Sequence, residues 1–169
     1  MPSSSTLHPL KASEISEIGQ LARTIWRQHY ETILSREQVE YMLREKYAVA
    51  DLTRYISATD QWFDVLRVDE VVSGFLRTSR ASDERFKLEE IYIVQAARGR
   101  GNGRLLLERA ESLAREQECK IVFLYVNRAN AASIALYQRN GYVIAKSEVF
   151  DIGNGFVMDE HLMEKSLAG

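Results

Sequence analysis

The sequence predicts a single mixed α/β domain, and three stretches carry that prediction. "KLEEIYIV" and "KIVFLYV" are strand-like apolar runs separated by a glycine-rich turn and a helical stripe, a strand, helix, strand unit of the kind that forms a parallel crossover at the centre of a sheet. "WFDVLRV" and "VVSGFLRT" alternate as strands and meet at Asp69-Glu70, a tight hairpin connection. Ile15, Ile18, Leu21, Ala22, Ile25 and Trp26 recur at helical spacing ahead of them.

Each remaining element follows from local chemistry. "SSST" reads as a frayed end and "LHPL" as a short edge strand in which Pro9 is tolerable. Ser13 is the N-cap candidate for the first helix. Ser35 with Gln38 three residues on forms a capping-box pattern, and Val39, Met42 and Leu43 continue a second helix. "ADLTRYI" reads as a further short helix, and Gly74 marks a bulge or a close backbone approach. After the glycine turn, Leu106, Leu107, Ala110, Leu113 and Ala114 form the apolar stripe of a helix whose other face carries Glu111 and Arg115. "AASIALYQRNG" is a helix stopped by Gly141, and "YVIAKSEVF" and "GFVMDEHLMEKSL" are strands around "DIGNG". Six or seven strands result, with no internal repeat or linker.

Composition narrows the function. Twenty-two basic residues stand against 24 acidic ones, so no global positive field exists to hold a nucleic acid. A lone Cys119, no secretory leader and no apolar run near the ~20 residues that span a bilayer favour a cytoplasmic protein with no membrane partner. His8, His29 and His161 lack metal-ligand spacing, so no metal is expected.

"ARGRGNG", residues 97–103, leaves a strand and opens a helix, where unpaired N–H groups and a partial positive charge suit a phosphate. No Lys-Ser or Lys-Thr pair follows, which argues against a nucleotide P-loop. The G-x-G-x-G spacing and late position weaken a dinucleotide reading. A tight turn with solvated arginines explains the stretch equally well when it stands alone.

A second motif changes that balance. Arg98-Gly99-Arg100-Gly101-Asn102-Gly103 resembles the R-x-x-G-x-G acyl-CoA signature of the GNAT superfamily of N-acyltransferases, and "NAASIALYQRNGY" resembles its second motif, with Asn130, Tyr137, Gly141 and Tyr142 in order. The match is clear over about residues 88–143. Gln95 stands where many members have proline, and Lys87 where an acidic residue is common. "IWRQHYETILSREQVEYML" and "VMDEHLMEK" are similar to the polyamine-acetyltransferase-like branch.

The resemblance implies one acyl-CoA N-acyltransferase domain over 1–169, with a mostly antiparallel sheet flanked by about four helices. It implies acetyl-CoA as co-substrate and direct transfer in a ternary complex to a primary amine, either a small amine or polyamine, or a peptide or protein amino group. Arg98, Gly99, Arg100, Gly101, Asn102, Gly103 and Arg104 would bind the cofactor, with backbone N–H groups from about Gly99 to Gly103 on the pyrophosphate and the strand edge at Ile91 and Ile93 on the pantetheine arm. Tyr137 matches the tyrosine that serves the departing thiolate, and Asn130 contacts CoA or caps its helix. An alkylamine with a pKa near ~10 is mostly protonated at neutral pH, so a base is useful. Glu89 is the chosen base, with Glu90 and a water chain as alternatives; the two glutamates face opposite sides of a regular strand. Trp26, Tyr30 and Glu31, with Tyr41, Glu37 and Glu40 nearby, could line an acceptor pocket for a cation or pack as core and surface. A homodimer paired through the C-terminal strands and a CoA-binding sensor without turnover remain open.

Overall fold

The computed structural model describes residues 3–167, with Lys46 described by its backbone alone. In chain order the strands are β1 (Ser5–Pro9), β2 (Gln61–Val68), β3 (Val71–Arg80), β4 (Arg85–Ile93), β5 (Ile121–Asn127), β6 (Val143–Gly153) and β7 (Phe156–Ser166). The α-helices are α1 (Ile15–Tyr30), α2 (Arg36–Lys46), α3 (Val49–Ser57), α4 (Asn102–Glu116) and α5 (Ala131–Arg139). The seven strands form one sheet in the order β1-β2-β3-β4-β5-β7-β6, with β4 and β5 as the parallel pair at its middle. This is the expected mixed, mostly antiparallel fold, with five α-helices among the described residues rather than about four.

The chain divides into two compact units, Met1–Arg77 with Glu90–Asn102, and Thr78–Glu89 with Gly103–Gly169. In the first unit, β1 pairs antiparallel with β2 from Ser5↔Val68 to Pro9↔Asp64. Ser5 and Thr6 therefore belong to an edge strand and not to a frayed end. The cause is a clasp at the hairpin, where Asp69 N–H donates to Ser4 O (2.8 Å) and Ser4 N–H donates to the Asp69 carboxylate (2.9 Å). Asp69 and Glu70 both adopt positive φ, 50° and 70°, the geometry of a two-residue hairpin turn. Gly74 is required by close approach, because a Cβ there would lie 2.4 Å from Tyr92 O.

The start of α1 differs from expectation. Ser13 lies in a 3₁₀ turn (Ala12–Glu14), and the buried Glu14 carboxylate accepts the Lys11 N–H (3.0 Å) in the capping role. Glu14 also accepts from Arg67 (2.8 Å) and pairs with His8 (2.9 Å). Burial opposes its charge, yet these hydrogen bonds hold its carboxyl below the ordinary value. Ser35 caps α2 as expected, its hydroxyl accepting the Gln38 N–H (3.1 Å).

In the second unit, Leu106, Leu107, Ala110, Leu113 and Ala114 are buried along α4. Glu111 is not on a solvated face with Arg115: it is 6% exposed and pairs with Lys165 of β7 at 2.5 Å. β5 pairs with β7 along its whole length, but its parallel pairing with β4 covers only Arg85↔Ile121 to Lys87↔Phe123. The β6–β7 hairpin turns at Asn154-Gly155, with φ of 55° and 81°. α5 stops in a Schellman pattern, in which Tyr142 N–H donates to Tyr137 O (3.0 Å) and Gly141 N–H to Gln138 O (3.1 Å). Gly141 supplies the required positive φ of 92°.

Candidate active site

The glycine turn is built for backbone, with each glycine present for its own reason. Gly99 and Gly101 sit at φ 73° and 82°, and a Cβ on either would meet nothing within 4 Å. Their demand is therefore conformational, and the space beside them is open. Gly103 serves packing, since a Cβ there would come within 3.0 Å of Leu136 on α5. α4 begins at Asn102, so the N–H groups of its first turn have no partner within the helix. Open space beside Gly99 and Gly101, helix-end N–H groups without an intrahelical partner, and exposed Arg98, Arg100 and Arg104 fit an anionic phosphate group.

The arginine side chains are partly engaged already. Arg98 Nε donates to Ile93 O (2.9 Å), and Arg104 pairs with Glu108 (2.8 Å) at the surface. Asn102 is buried, donating Nδ2–H to Ala97 O (2.9 Å) and accepting from Ser5 Oγ (2.7 Å).

Burial alternates without a break from Arg85 to Ile93, so β4 runs regularly through both glutamates. Glu89 shares the half-exposed face with Ile91 and Ile93, and accepts from Ser79 Oγ (2.8 Å) and pairs with Lys87 (3.2 Å). Glu90 shares the buried face with Leu88 and Tyr92. Arg77 binds it at 2.9 Å and the Tyr47 hydroxyl donates to its other oxygen. The Arg77 guanidinium also donates to Tyr55 Oη (2.8 Å) and lies 6.0 Å over the Tyr47 ring.

On α5, Asn130 caps the helix by accepting the Ser133 N–H (3.2 Å), and Asn127 accepts the Ala129 N–H (2.9 Å) at the end of β5. Tyr137 is 6% exposed and its ring stands 6.0 Å from that of Tyr142. Burial first, then the nearby Glu111, pushes the Tyr142 phenol well above its usual range.

Trp26, Tyr30, Tyr47, Phe75 and Tyr92 form a packed aromatic cluster; Trp26 is 1% exposed and its indole N–H donates to Tyr47 Oη (3.3 Å). Glu31 and Glu37 are exposed, Tyr41 is half-buried, and Glu40 pairs with Arg27 (2.7 Å). His29 lies against the cluster, and burial together with Arg98 holds its imidazole below the usual value. Among the described residues no group of three or more His, Cys, Asp or Glu side chains is placed to hold a metal. No helix among them is long and apolar enough to cross a membrane.

Three participants escaped the sequence reading. Tyr47 and Arg77 hold Glu90, and Ser5 meets Asn102 across 97 positions. The two partners of Glu90 are isolated polar residues in unremarkable segments, and Ser5 looks like part of a polar terminus. A hint lay in Asn102 itself, a polar residue at a position the helix buries.

Residues 20–142 match the acetyltransferase (GNAT) family. A spermidine N(1)-acetyltransferase of Thermoplasma acidophilum is 25% identical over 161 residues, covering 91% of this chain and 95% of that protein. A crystal structure of a PaiA N-acetyltransferase from Thermoplasma acidophilum in complex with coenzyme A superposes with a TM-score of 0.82 at 24% identity, covering 96% of this chain and 99% of the other. A putative acetyltransferase of Salmonella typhimurium with its cofactor acetyl-CoA gives a TM-score of 0.69 at 18% identity, over 98% and 95% of the two chains. With both glycine-turn and α5 motifs inside the matched span, the chain belongs to the acetyltransferase (GNAT) family and is an acyltransferase.

Proposed function

We propose that the protein transfers an acetyl group from acetyl-CoA directly to a primary amine, with a small amine or polyamine as acceptor. The observation that carries the reading is the turn at Gly99–Gly101, which opens onto free space just ahead of α4. The spermidine acetyltransferase similarity supports a polyamine-class acceptor. The bound thioester supplies the activated acetyl group. Backbone N–H groups from Gly99 to Gly103 hold the pyrophosphate, and the backbone at Ile91 and Ile93 aligns the pantetheine amides. A backbone N–H of β4 stabilises negative charge on the acetyl oxygen.

Glu89 accepts the amine proton, directly or through water, because its carboxylate lies on the half-exposed face with Ile91 and Ile93, while Glu90 is held by Arg77 and Tyr47. Tyr137 donates its phenolic proton to the departing thiolate. No metal takes part. The lone, buried Cys119 accords with a reducing cytoplasm, and exposed Val143, Val149 and Val157 on β6 and β7 accord with a homodimer through those strands.

The test is a panel of diamines, polyamines, aminoglycoside-like amines and N-terminal peptides incubated with acetyl-CoA, read as thiol release. Release with small amines supports the reading. Release only with peptides moves the acceptor class, and tight acetyl-CoA binding without any amine-dependent release identifies a sensor.

A further inference from the structure

We propose that Asn102 and Ser5 are positioning residues that lock the cofactor turn in its binding conformation before the cofactor arrives. The inference rests on the acetyl-CoA reading of that turn and adds residues whose side chains do not touch the cofactor. From Arg98 to Gly101 every residue is exposed, whereas Asn102 is 3% exposed. Its amide works at both ends. Nδ2–H donates to Ala97 O at 2.9 Å, which fixes the amide orientation, and Oδ1 accepts from Ser5 Oγ at 2.7 Å.

The first of these bonds joins the two ends of the turn and closes a ring around residues 98–101. Two of those residues are glycines at positive φ, which without a constraint sample a wide range of backbone conformations. The second bond ties the ring to β1, whose register is set by pairing with β2 from Ser5↔Val68 to Pro9↔Asp64. The turn is thereby referenced to the edge strand and not to its own glycines alone. A turn already in its bound shape loses less conformational freedom on binding, so affinity for the cofactor rises without a new contact.

The chain of contacts runs Ser5, Asn102, Ala97, so the Ser5 effect must pass through Asn102. That requirement separates a lock from two unrelated stabilising bonds. Asn102→Leu removes both polar ends at similar size, Ser5→Ala removes the hydroxyl, and Ser5→Thr keeps a hydroxyl. CoA and acetyl-CoA dissociation constants, amine KM, kcat and melting temperature are measured for each variant and for the double variant. The expected result is a roughly 10-fold weaker CoA affinity in Asn102→Leu and roughly 3-fold in Ser5→Ala, with Ser5→Thr near wild type. The double variant equals Asn102→Leu, and in Ser5→Ala kcat and amine KM stay within about twofold. Hydrogen exchange of the protein without cofactor gives a second readout, in which peptides covering residues 97–104 exchange faster in Asn102→Leu while β5 and β7 do not change.

Unchanged CoA affinity and unchanged exchange in Asn102→Leu overturn the proposal, as do single-variant effects that simply multiply in the double variant. Failure of the wild type itself to bind CoA is a different outcome: it removes the acetyl-CoA reading, and the positioning role with it.

Discussion

The turn from Gly99 to Asn102 and the aromatic cluster belong to the same compact unit and are built on opposite principles. In the turn, Asn102 alone is turned inward, Arg98 and Arg100 are exposed, and the space beside Gly99 and Gly101 is open. In the cluster, Trp26, Tyr47, Phe75 and Tyr92 fill their own volume, and the charge of Glu90 is matched by Arg77 and Tyr47. The turn leaves space beside Gly99 and Gly101 that its own chain does not fill. The cluster packs its rings against one another, although it contains the residue types that a cation pocket would use.

The largest effect should come from breaking the cluster. Glu90→Ala leaves Arg77 charged, with its side chain only 13% exposed, and is expected to cost about 3 kcal/mol in stability, while CoA affinity of the folded fraction stays unchanged. Urea unfolding and CoA titration check this, and lost affinity at unchanged stability would place Glu90 in the site instead. Tyr137→Phe should lower kcat by about 100-fold at unchanged acetyl-CoA affinity, because it removes only the proton donated to the thiolate. Full turnover would refute that role.

Glu89→Gln tests the other face of β4. Here kcat/KM should fall by about 100-fold well below the amine pKa and approach wild type as the pH rises toward that pKa, since a neutral amine needs no base. An unchanged pH–rate profile would exclude Glu89 as the base. Gly101→Ala introduces a side chain at φ 82°, which costs about 1–2 kcal/mol, or about 10-fold in CoA affinity if the turn shifts to relieve the strain. Calorimetric titration of CoA, paired with a melting curve, tells strain borne by the fold from strain passed to the ligand.

The smallest effect tests neither region but the edge strand that anchors the turn. The Glu14 carboxyl is held below its ordinary value, so its contribution is present above pH about 4.5 and is lost as pH falls through the folded-state pKa. Glu14→Gln should therefore melt about 5 °C below wild type at pH 7, and the gap should close in acid. A gap that persists at pH 3 would mean that Glu14 acts by shape and not by charge.

These contrasts explain what was legible in the sequence. Periodicity exposed the strands and helices because burial on one face is a local, repeating demand, as in the alternation from Arg85 to Ile93. The motif at 98–103 was legible because positive φ restricts residue type to glycine. Asp69-Glu70 reached the same kind of φ without glycine, and only the strands around it revealed the turn. Contacts between distant positions were not legible: Ser5 with Asn102, Glu111 with Lys165 and Arg77 with Glu90 join residues whose local patterns say nothing of each other. The aromatic residues of α1 illustrate the limit, since composition alone cannot distinguish a lining from a core.

Initial velocities measured over a grid of acetyl-CoA and amine concentrations, with the acetylated amine identified by mass spectrometry, test the central claim most directly. Direct transfer in a ternary complex predicts intersecting double-reciprocal lines and one acetylated amine for each thiol released. Parallel lines, or thiol release that does not depend on the amine, would contradict it.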